Sequence, residues 1–366
     1  MRKKTAFITG ITGQDGAYLA RFLLDKGYRV HGLVRWDSYV DSSENIARLK
    51  TLGIEKGDIT LHYGDLTDAQ NITALISHIK PDEIYNLAAL SQVGVSFETP
   101  ASVMDINTKG CLAILETVKL LKMEKLAKIY QASSSEMFGN SPPPQNENTA
   151  FAPCSPYGVA KLASYWLVKT YRSAYGMFAV NGILFNHESP LRGDDFVTRK
   201  ITRSVAAIEA GMMDELRLGN LDAKRDWGHA MDYVRGMWMM MQHDSADDFV
   251  LATGQSCTVR EFVTLAFHEI GTDIIWKGSG LKEKGYDRET GKTLVSIDPA
   301  LFRPKDVHNL LGDSSKARDI LGWTPSYTIS LVLKDMIRTD RTELRIEKAL
   351  EKYDQPILAK RAPLSA

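Results

Sequence analysis

The residues with the clearest chemical potential lie in the middle of the chain. A Ser-Ser-Ser-Glu run, from Ser133 to Glu136, comes about twenty residues before the segment Tyr157-Gly-Val-Ala-Lys161. Residues four apart in a helix lie on one face, so the Lys161 ammonium can favour the ionised form of the Tyr157 phenol. Tyr157 then becomes a candidate general base, and the pairing indicates redox chemistry with proton abstraction.

Glu136 moves the interpretation of this segment from oxidation toward elimination. A simple alcohol dehydrogenase has little need for a further carboxylate, whereas an elimination needs a second base. The alternative is a surface tyrosine and lysine on an ordinary helix. Tyr-x-x-x-Lys occurs often by chance, and a short motif of this kind needs structural context.

The amino terminus supplies such a context. Thr5 to Gly10 reads as a short buried strand, followed by a glycine turn and a helical pattern from Tyr18 to Lys26. Glycine lets the backbone approach a pyrophosphate, and a helix N-terminus offers free N–H groups to its negative charge. The turn therefore predicts a dinucleotide site, and its candidate binding residues are Gly10, Thr12, Gly13, Gln14, Asp15 and Gly16.

A second strand, Tyr28 to Val34, ends in residues that can select the cofactor. In dinucleotide folds this strand end faces the adenine ribose, where an arginine accommodates a 2′-phosphate and an acid selects a free hydroxyl. Arg35, with Ser38 nearby, favours NADP. A solvated arginine is the alternative, and Asp37 keeps NAD open.

Strand and helix patterns alternate through the first half of the chain. This alternation predicts an α/β fold with a doubly wound parallel (Rossmann) sheet and a smaller C-terminal substrate-binding lobe. We expect residues 1–185 to be mainly the NADP-binding domain and residues 186–366 mainly the lobe, with some segments returning to the sheet. The predicted strands are Thr60–Tyr63, Glu83–Leu87, Lys128–Ala132 and Ala179–Phe185, and further cofactor candidates at strand ends are Asp65, Leu66, Leu87, Ala88, Ala89 and Ser91.

Composition is typical of a soluble enzyme. A chain of 366 residues with 44% hydrophobic residues can bury a large core. Its 45 basic and 45 acidic residues balance, so no broad preference for nucleic acid or membrane follows. Cys111, Cys154 and Cys257 show no metal spacing, which favours a reducing compartment. Without an evident leader or bilayer-spanning run, we expect a cytoplasmic protein.

The second half contains several cations in a region that is not basic throughout. Arginine holds phosphate through a planar fork, so these side chains could converge on a second diphosphate and hence on a nucleotide-activated substrate. Unrelated solvated side chains are the alternative for any one of them. The cations are Arg199, Lys200, Arg203, Arg225 and Arg303.

Two further features of this half have simpler interpretations. His187, Glu188 and His229 are not assigned to a metal site, because loop histidines with ordinary partners are more common. The Met-rich run Met237–Met241 is predicted to be core, since flexible thioethers fill irregular space.

Together these residues resemble the extended short-chain dehydrogenases/reductases that act on nucleotide sugars, and within them the GDP-mannose 4,6-dehydratase family. The resemblance extends from residue 5 to about residue 325 and is far more specific than a glycine motif. The matching segments are Gly10–Gly16, His62–Thr67, Ser155–Gly158, Asn181–Pro190, Phe196–Ile201, Leu218–Ala230 and Leu321–Pro325.

The resemblance implies a mechanism. Ionised Tyr157 would take the proton from the hexose O4 while C4 gives hydride to NADP. The 4-ketone would make the C5 proton acidic, and Glu136 would remove it and help to expel the C6 hydroxyl as water. Ser134 would hydrogen-bond to the reacting sugar, and hydride would then return to C6.

The resemblance also implies binding residues and partners. Lys161, His187 and Arg192 would contact NADP. We expect a GDP-sugar substrate, a homodimer or homotetramer, and no nucleic acid, membrane or metal. Besides the catalytic residues Ser134, Glu136 and Tyr157, the GDP-sugar site would include Ser91, Asn186, Val197, Lys200, Leu218, Gly219, Arg225 and Arg303.

Several positions depart from the family pattern. Ser134 replaces threonine, so the hydroxyl is kept without the methyl that fixes its rotamer. Trp36 replaces a second arginine beside Arg35, which weakens the expectation of NADP and of a tetramer. Changes on the sugar side, at Leu90, Gln92 and Leu191, leave room for another substrate such as a GDP-manno-heptose.

Three functions therefore remain as hypotheses. The first is the dehydratase, the second an epimerase or reductase on the same fold, and the third a sensor that binds NADP without catalysis. Glu136 favours the first over the second, because an epimerase needs no base at C5. Intact Tyr157 and Lys161 argue against the sensor.

Overall fold

The computed structural model describes residues 2–35, 43–302 and 305–359. Ser38 and Arg303, both predicted binding residues, lie outside the described residues, as do Trp36 and Asp37. The chain forms two compact units. The first unit contains Met1–Leu191, Asp222–Thr258 and Arg303–Thr328, and the second contains Arg192–Leu221, Val259–Phe302 and Ile329–Ala366.

The strands and helices follow one another in frequent alternation. The strands are β1 Thr5–Thr9, β2 Arg29–Val34, β3 Ile59–Tyr63, β4 Glu83–Asn86, β5 Lys128–Ser134, β6 Phe178–Leu184, β7 Asn186–Glu188, β8 Leu216–Leu218, β9 Lys224–Arg225, β10 Trp227–His229, β11 Asp248–Leu251, β12 Cys257–Thr258, β13 Ile274–Lys277, β14 Lys284–Asp287 and β15 Thr293–Ile297. The helices are α1 Gln14–Asp25, α2 Ser43–Thr51, α3 Ala69–Ile79, α4 Pro100–Met104, α5 Gly110–Leu120, α6 Pro156–Tyr175, α7 Val197–Glu209, α8 Ala230–Gln242, α9 Val259–Glu269, α10 Ser315–Leu321 and α11 Ile329–Ala359.

The first unit is built on a seven-stranded sheet in the order β11-β6-β5-β4-β1-β2-β3. All of its strand pairs are parallel. The predicted Rossmann sheet is therefore confirmed, and each predicted strand is present with ends within one or two residues. The strand order reverses beside β1, and ligands of such sheets bind at the carboxyl ends of the strands near this point.

Two apolar clusters cover the faces of this sheet. On one face α1 and α8 bury Leu19, Leu23 and the methionines of the predicted core run, of which Met237, Met240 and Met241 are fully buried. On the other face α3, α5 and α6 contribute Ile72, Ile76, Ile114, Leu115 and Val168. The prediction that the Met-rich run is core is thus confirmed.

Asp226 is the centre of a buried hydrogen-bond cluster in the first unit. Its carboxylate accepts from the Thr253 amide at 2.9 Å and from the Thr253 hydroxyl at 2.6 Å. It also accepts from the amides of Gly254 at 2.9 Å and Gly312 at 3.3 Å. Burial raises the pKa of Asp226, and these donors oppose that rise. One carboxylate thereby joins three separate segments of chain.

We expect Asp226→Ala to lower the free energy of unfolding by about 3 kcal/mol, because buried backbone donors would lose their acceptor. Urea denaturation would measure the change. Asp244→Ala, at an exposed position, is the control and should change stability by less than about 0.5 kcal/mol. A loss of less than about 1 kcal/mol in the Asp226 variant would contradict this account.

The second unit has its own sheet, in the order β13-β14-β15-β8. Helices α7 and α11 pack together there and share buried charges. The Arg199 guanidinium, 3% exposed, pairs with Asp340 and with Glu343 at 2.8 Å. Arg203 pairs with Glu347 at 2.9 Å. The suggestion that Arg199 binds a diphosphate is therefore wrong, because carboxylates of α11 surround its guanidinium.

Three findings bear on the class of protein. Cys111, Cys154 and Cys257 form no disulfide bond with one another. Over the described ranges, no helix has both the length and the apolar character needed to cross a membrane. In the same part of the chain, no group of three or more potential ligands is placed to hold a metal ion.

Candidate active site

The glycine turn between β1 and α1 packs closely on the segment after β4. Gly10 has φ +72°, and a Cβ there would lie 2.8 Å from the Ala88 amide nitrogen. A Cβ at Gly16 would lie 2.2 Å from the Gly10 carbonyl oxygen. Gly13 is the N-cap of α1, and no described side chain caps this helix end. The first N–H groups of α1 are thus suited to an anionic ligand.

Asp15 and His187 tie the glycine turn to the region after β6. The His187 Nε2 atom lies 2.8 Å from Asp15 Oδ2, and its Nδ1 atom lies 2.7 Å from the Phe185 carbonyl. The Gln14 amide donates to the His187 carbonyl at 3.1 Å, and the Ser189 hydroxyl donates to Gln14 at 2.8 Å. These bonds fix the turn that the sequence predicts to hold the pyrophosphate.

Lys161 is a buried ammonium in the interior of the first unit. Its side chain is 4% exposed, and Nζ donates to the Ala132 carbonyl at 2.7 Å. Nζ lies 5.7 Å from the centroid of the Tyr157 ring, one helical turn away. Burial lowers the pKa of Lys161 to about 8, while the negative charge of Asp15 acts to raise it. The predicted pairing of Lys161 with Tyr157 on one helix face is confirmed.

Glu136 lies on a 3-10 turn, Ser135–Met137, directly after β5. The Ser134 hydroxyl accepts from the Glu136 amide at 3.2 Å and so caps this turn. Ser155 caps α6 by accepting from the Gly158 amide at 3.0 Å. A Cβ at Gly158 would lie only 2.8 Å from the Glu136 carbonyl oxygen. The first turn of α6, with Tyr157, therefore packs directly on the turn that bears Glu136.

Comparison with known proteins decides the family. The family model described as GDP-mannose 4,6 dehydratase matches residues 7–336. A GDP-mannose 4,6-dehydratase of Sinorhizobium fredii is 52% identical over 348 residues, which cover 94% of this chain and 98% of that protein. The chain belongs to the GDP-mannose 4,6-dehydratase family. A relative of the same name from Cricetulus griseus is 50% identical over 341 residues, covering 92% and 91% of the two chains.

Solved structures show the same fold at lower identity. A UDP-glucose 4-epimerase of Thermotoga maritima superposes with a TM-score of 0.76 at 22% identity, covering 93% of this chain and 99% of that one. A dTDP-glucose 4,6-dehydratase of Bacillus anthracis gives a TM-score of 0.74 at 18% identity, covering 92% and 96%. The GDP-mannose 4,6-dehydratase family thus shares its architecture with other nucleotide-sugar enzymes.

In this family member, the remaining candidate cofactor residues lie along the carboxyl edge of the sheet. The Asp65 carboxylate accepts from the Thr67 amide and hydroxyl, at 2.8 and 2.6 Å. Leu66 is buried, Leu87, Ala88 and Ala89 are half-buried, and Arg35 and Ser91 are exposed. Their contacts with a cofactor stay predictions.

The candidate substrate residues divide between the two units. In the first unit Asn186 is half-buried, and the Arg225 guanidinium donates to the Val307 carbonyl and to Asp306, both at 2.8 Å. In the second unit Leu218 is buried, whereas Val197, Lys200 and Gly219 are half-buried. Arg192, which is predicted to contact the cofactor, is also half-buried there. Burial lowers the pKa of Lys200, which Asp298 acts to raise. Their roles toward a substrate stay predictions.

Arg48 is a residue near the glycine turn that sequence reasoning missed. It donates to the Leu191 carbonyl at 3.1 Å and to the Thr12 carbonyl at 3.3 Å. A lone arginine on an amphipathic helix gives no sign of a partner that lies 143 residues away. The predicted cofactor residue Thr12 is thereby held through its backbone.

We expect Gly158→Ala to lower kcat by about tenfold to a hundredfold, because the new Cβ would push α6 from the Glu136 turn and misplace Tyr157. Steady-state assays of sugar dehydration would measure the loss. Gly57→Ala is the control for a glycine substitution, since a Cβ at Gly57 meets no atom within 4 Å. Because alanine is strained at the Gly57 φ of +111°, this control also tests whether backbone strain alone lowers kcat. Full activity of Gly158→Ala would show that the close packing of Gly158 on the Glu136 carbonyl is not needed for catalysis.

Proposed function

We propose that this protein converts GDP-mannose to GDP-4-keto-6-deoxymannose by 4,6-dehydration, with NADP as its cofactor. Two relatives that match more than nine-tenths of the chain are named for this reaction. The observation that carries the proposal is the packing of Gly158 on the Glu136 carbonyl, with 2.8 Å left for a Cβ. The turn that bears Glu136 thus packs against the first turn of the helix that bears Tyr157.

The described residues suit a dinucleotide. The Gly10–Gly16 turn brings backbone close to the strand ends, and the uncapped start of α1 offers N–H groups to a pyrophosphate. Arg35, exposed at the end of β2, would pair with a 2′-phosphate. When bound, NADP would supply a hydride acceptor for C4 and a hydride donor for C6.

Tyr157 and Lys161 form the first acid–base pair of the proposed reaction. Tyr157 would accept the O4 proton of the hexose as C4 is oxidised to a ketone. The Lys161 ammonium, held on the Ala132 carbonyl, favours the ionised phenol. Because its pKa is lowered to about 8, the ammonium is present at neutral pH and lost at alkaline pH.

Glu136 and Ser134 would carry out the elimination. The 4-ketone makes the C5 hydrogen acidic, and the Glu136 carboxylate would accept that proton. The electron pair of the C5–H bond then forms the C5–C6 double bond as the C6–O bond breaks. Protonated Glu136 would return its proton to the departing hydroxyl, which leaves as water. Reduction of the double bond at C6 requires one proton at C5, and Tyr157 would release the O4 proton to balance it. Ser134 would hydrogen-bond to the sugar while also capping the Glu136 turn.

We also infer a cytoplasmic homo-oligomer, a homodimer or homotetramer. Helix α6 exposes Val159 by 47% and Trp166 by 53%, seven residues apart on one helix face. Exposed apolar side chains so aligned suit contact with a second copy. Three cysteines, Cys111, Cys154 and Cys257, that form no disulfide with one another suit a reducing compartment. Size-exclusion chromatography with light scattering would test the assembly.

Incubation of the protein with nucleotide sugars tests the proposed reaction. Separate reactions would contain GDP-mannose, GDP-manno-heptose or UDP-glucose, each with catalytic NADP, and mass spectrometry would follow the loss of one water. We expect loss of water from GDP-mannose. Turnover of GDP-manno-heptose alone would transfer the reaction to that sugar, and no water loss from any of them would refute a dehydratase.

A further inference from the structure

A chain of buried side-chain hydrogen bonds crosses the central strands of the first unit and ends at the catalytic lysine. The Thr9 hydroxyl donates to Asn86 Oδ1 at 2.7 Å, and Asn86 Nδ2 donates to Gln131 Oε1 at 2.7 Å. Gln131 Nε2 then donates to the Ala132 carbonyl at 3.1 Å. That carbonyl also accepts from Lys161 Nζ. Thr9, Asn86, Gln131 and Lys161 are each at most 4% exposed.

The direction of this chain is fixed from its first member. The Thr9 hydroxyl oxygen accepts from the amides of Leu87 and Ala88, both at 3.2 Å. Its proton is therefore directed to the Asn86 oxygen, and Asn86 must present its NH₂ group to the Gln131 oxygen. Gln131 in turn can only offer an N–H to the Ala132 carbonyl. Bonds aligned in one direction strengthen one another.

The Ala132 carbonyl lies just past the point where β5 stops pairing with β4. Strand β5 continues to Ser134, whereas its pairing with β4 ends at Asn86 and Gln131. Beyond Gln131, β4 offers β5 no further backbone partner. At Ala132 β5 still pairs with β6, and two side-chain donors also reach the Ala132 carbonyl. The catalytic ammonium is one donor and the Gln131 amide is the other.

We propose that Gln131 is a positioning residue for Lys161. The Gln131 side-chain amide fixes the Ala132 carbonyl, and that carbonyl holds the Lys161 ammonium beside Tyr157. The same chain begins at the end of β1 and fixes the Leu87–Ala88 amides, so it joins the edge of the glycine turn to the lysine. Removing the Gln131 amide takes away one of the two side-chain donors to this carbonyl. The ammonium then stabilises the Tyr157 phenolate less well.

The charged and titratable groups around Lys161 make the pH profile a specific readout. The titratable groups near the ammonium are Cys111 on α5, Asp15 on α1 and Tyr157 on its own helix. Burial raises the pKa of Cys111 to about 12, so its thiol is neutral. A carboxylate introduced at position 131 would add a negative charge close to the Lys161 ammonium.

The inference rests on the proposed dehydratase activity, and two variants of the full-length holoenzyme test it. Gln131→Met keeps the length of the side chain and removes its donor. We expect kcat at pH 7 to fall about tenfold with KM changed less than about twofold, and the acid limb of kcat to move to higher pH.

Gln131→Glu keeps the acceptor for Asn86. Its charge should move the alkaline limb upward by about one pH unit or more, because an opposite charge raises the pKa of Lys161.

Thr117→Val is the matched control, because it removes one part-buried side-chain hydrogen bond, between Thr117 and Thr73, outside this chain of bonds. It should leave kcat and both limbs unchanged. Wild-type turnover together with an unaltered profile in both Gln131 variants would overturn the role of Gln131, whereas absence of wild-type turnover would refute the proposed function instead. If neither Gln131 variant folds, the residue is structural and the positioning role is wrong.

Discussion

Glu136→Gln is expected to reduce formation of the 4-keto-6-deoxy sugar by about a thousandfold, because a positioned general base contributes about 10²–10⁴ in rate. The amide has nearly the size of the carboxylate but cannot accept the C5 proton. Single-turnover mass spectrometry separates the two steps. Loss of two mass units from GDP-mannose reports the 4-ketone, and loss of eighteen reports water.

The variant should still form the ketone, since Tyr157 and Lys161 remain in place. The fold should also persist, because the turn around Glu136 is held by the Ser134 cap and by the packing of Gly158. Glu98→Gln, a carboxylate-to-amide change at an exposed position of the same unit, is the control and should retain full activity. Dehydration at the wild-type rate by Glu136→Gln would remove Glu136 from the mechanism.

The sequence predicts those parts of the site that depend on local rules. The glycine turn, the parallel sheet and the Tyr157–Lys161 face follow from backbone freedom, alternation and helical spacing. Each lies within one strand, turn or helix, or in the regular succession of such elements. The Met-rich run is predicted as core for a similar reason, since its members fall on neighbouring positions of one helix.

Contacts between distant parts of the chain are absent from any such pattern. His187 lies beside Asp15 although 172 positions separate them, and Asn86 bonds to Gln131 across 45 positions. Buried polar residues within apolar strands, such as Asn86 and Gln131, were the available signal. Such residues need partners, but a sequence does not say which.

Arg199 shows the opposite error. As a cation on a polar helix segment it suggested a phosphate site, yet it is buried against Asp340 and Glu343. A cation that stands out in a sequence can be one that the folded protein neutralises with its own carboxylates. Only the packing of α7 on α11 distinguishes these cases, and that packing joins residues more than 140 positions apart.

Lys161 pairs a catalytic gain with a structural cost. Its pKa of about 8 lies below the ordinary 10.5, because the fold disfavours the buried ammonium. The difference corresponds to about 3 kcal/mol of lost stability at neutral pH. A buried ammonium held at such a cost beside Tyr157 agrees with the catalytic role proposed for Lys161, since a neutral side chain would be accommodated more favourably.

Lys161→Met should therefore lower kcat about a thousandfold while leaving the protein at least as stable at pH 7. The unfolded lysine binds its proton up to a higher pH than the folded one, so wild-type stability rises relative to the variant as the pH increases from about 8 to 10.5. Urea denaturation across this window should show a relative gain of about 3 kcal/mol for the wild type.

Lys169→Met is the control on the same helix, where 40% of the lysine side chain is exposed. It should retain activity and show no comparable change with pH. Turnover by Lys161→Met within tenfold of the wild type would mean that Tyr157 needs no ammonium beside it. A constant stability difference from pH 7 to 10.5 would mean that the fold imposes no cost on the charge. The two measurements together separate the catalytic role of Lys161 from its burial. Activity depends on the position of the ammonium, whereas the pH dependence of stability depends on how strongly the ammonium is desolvated.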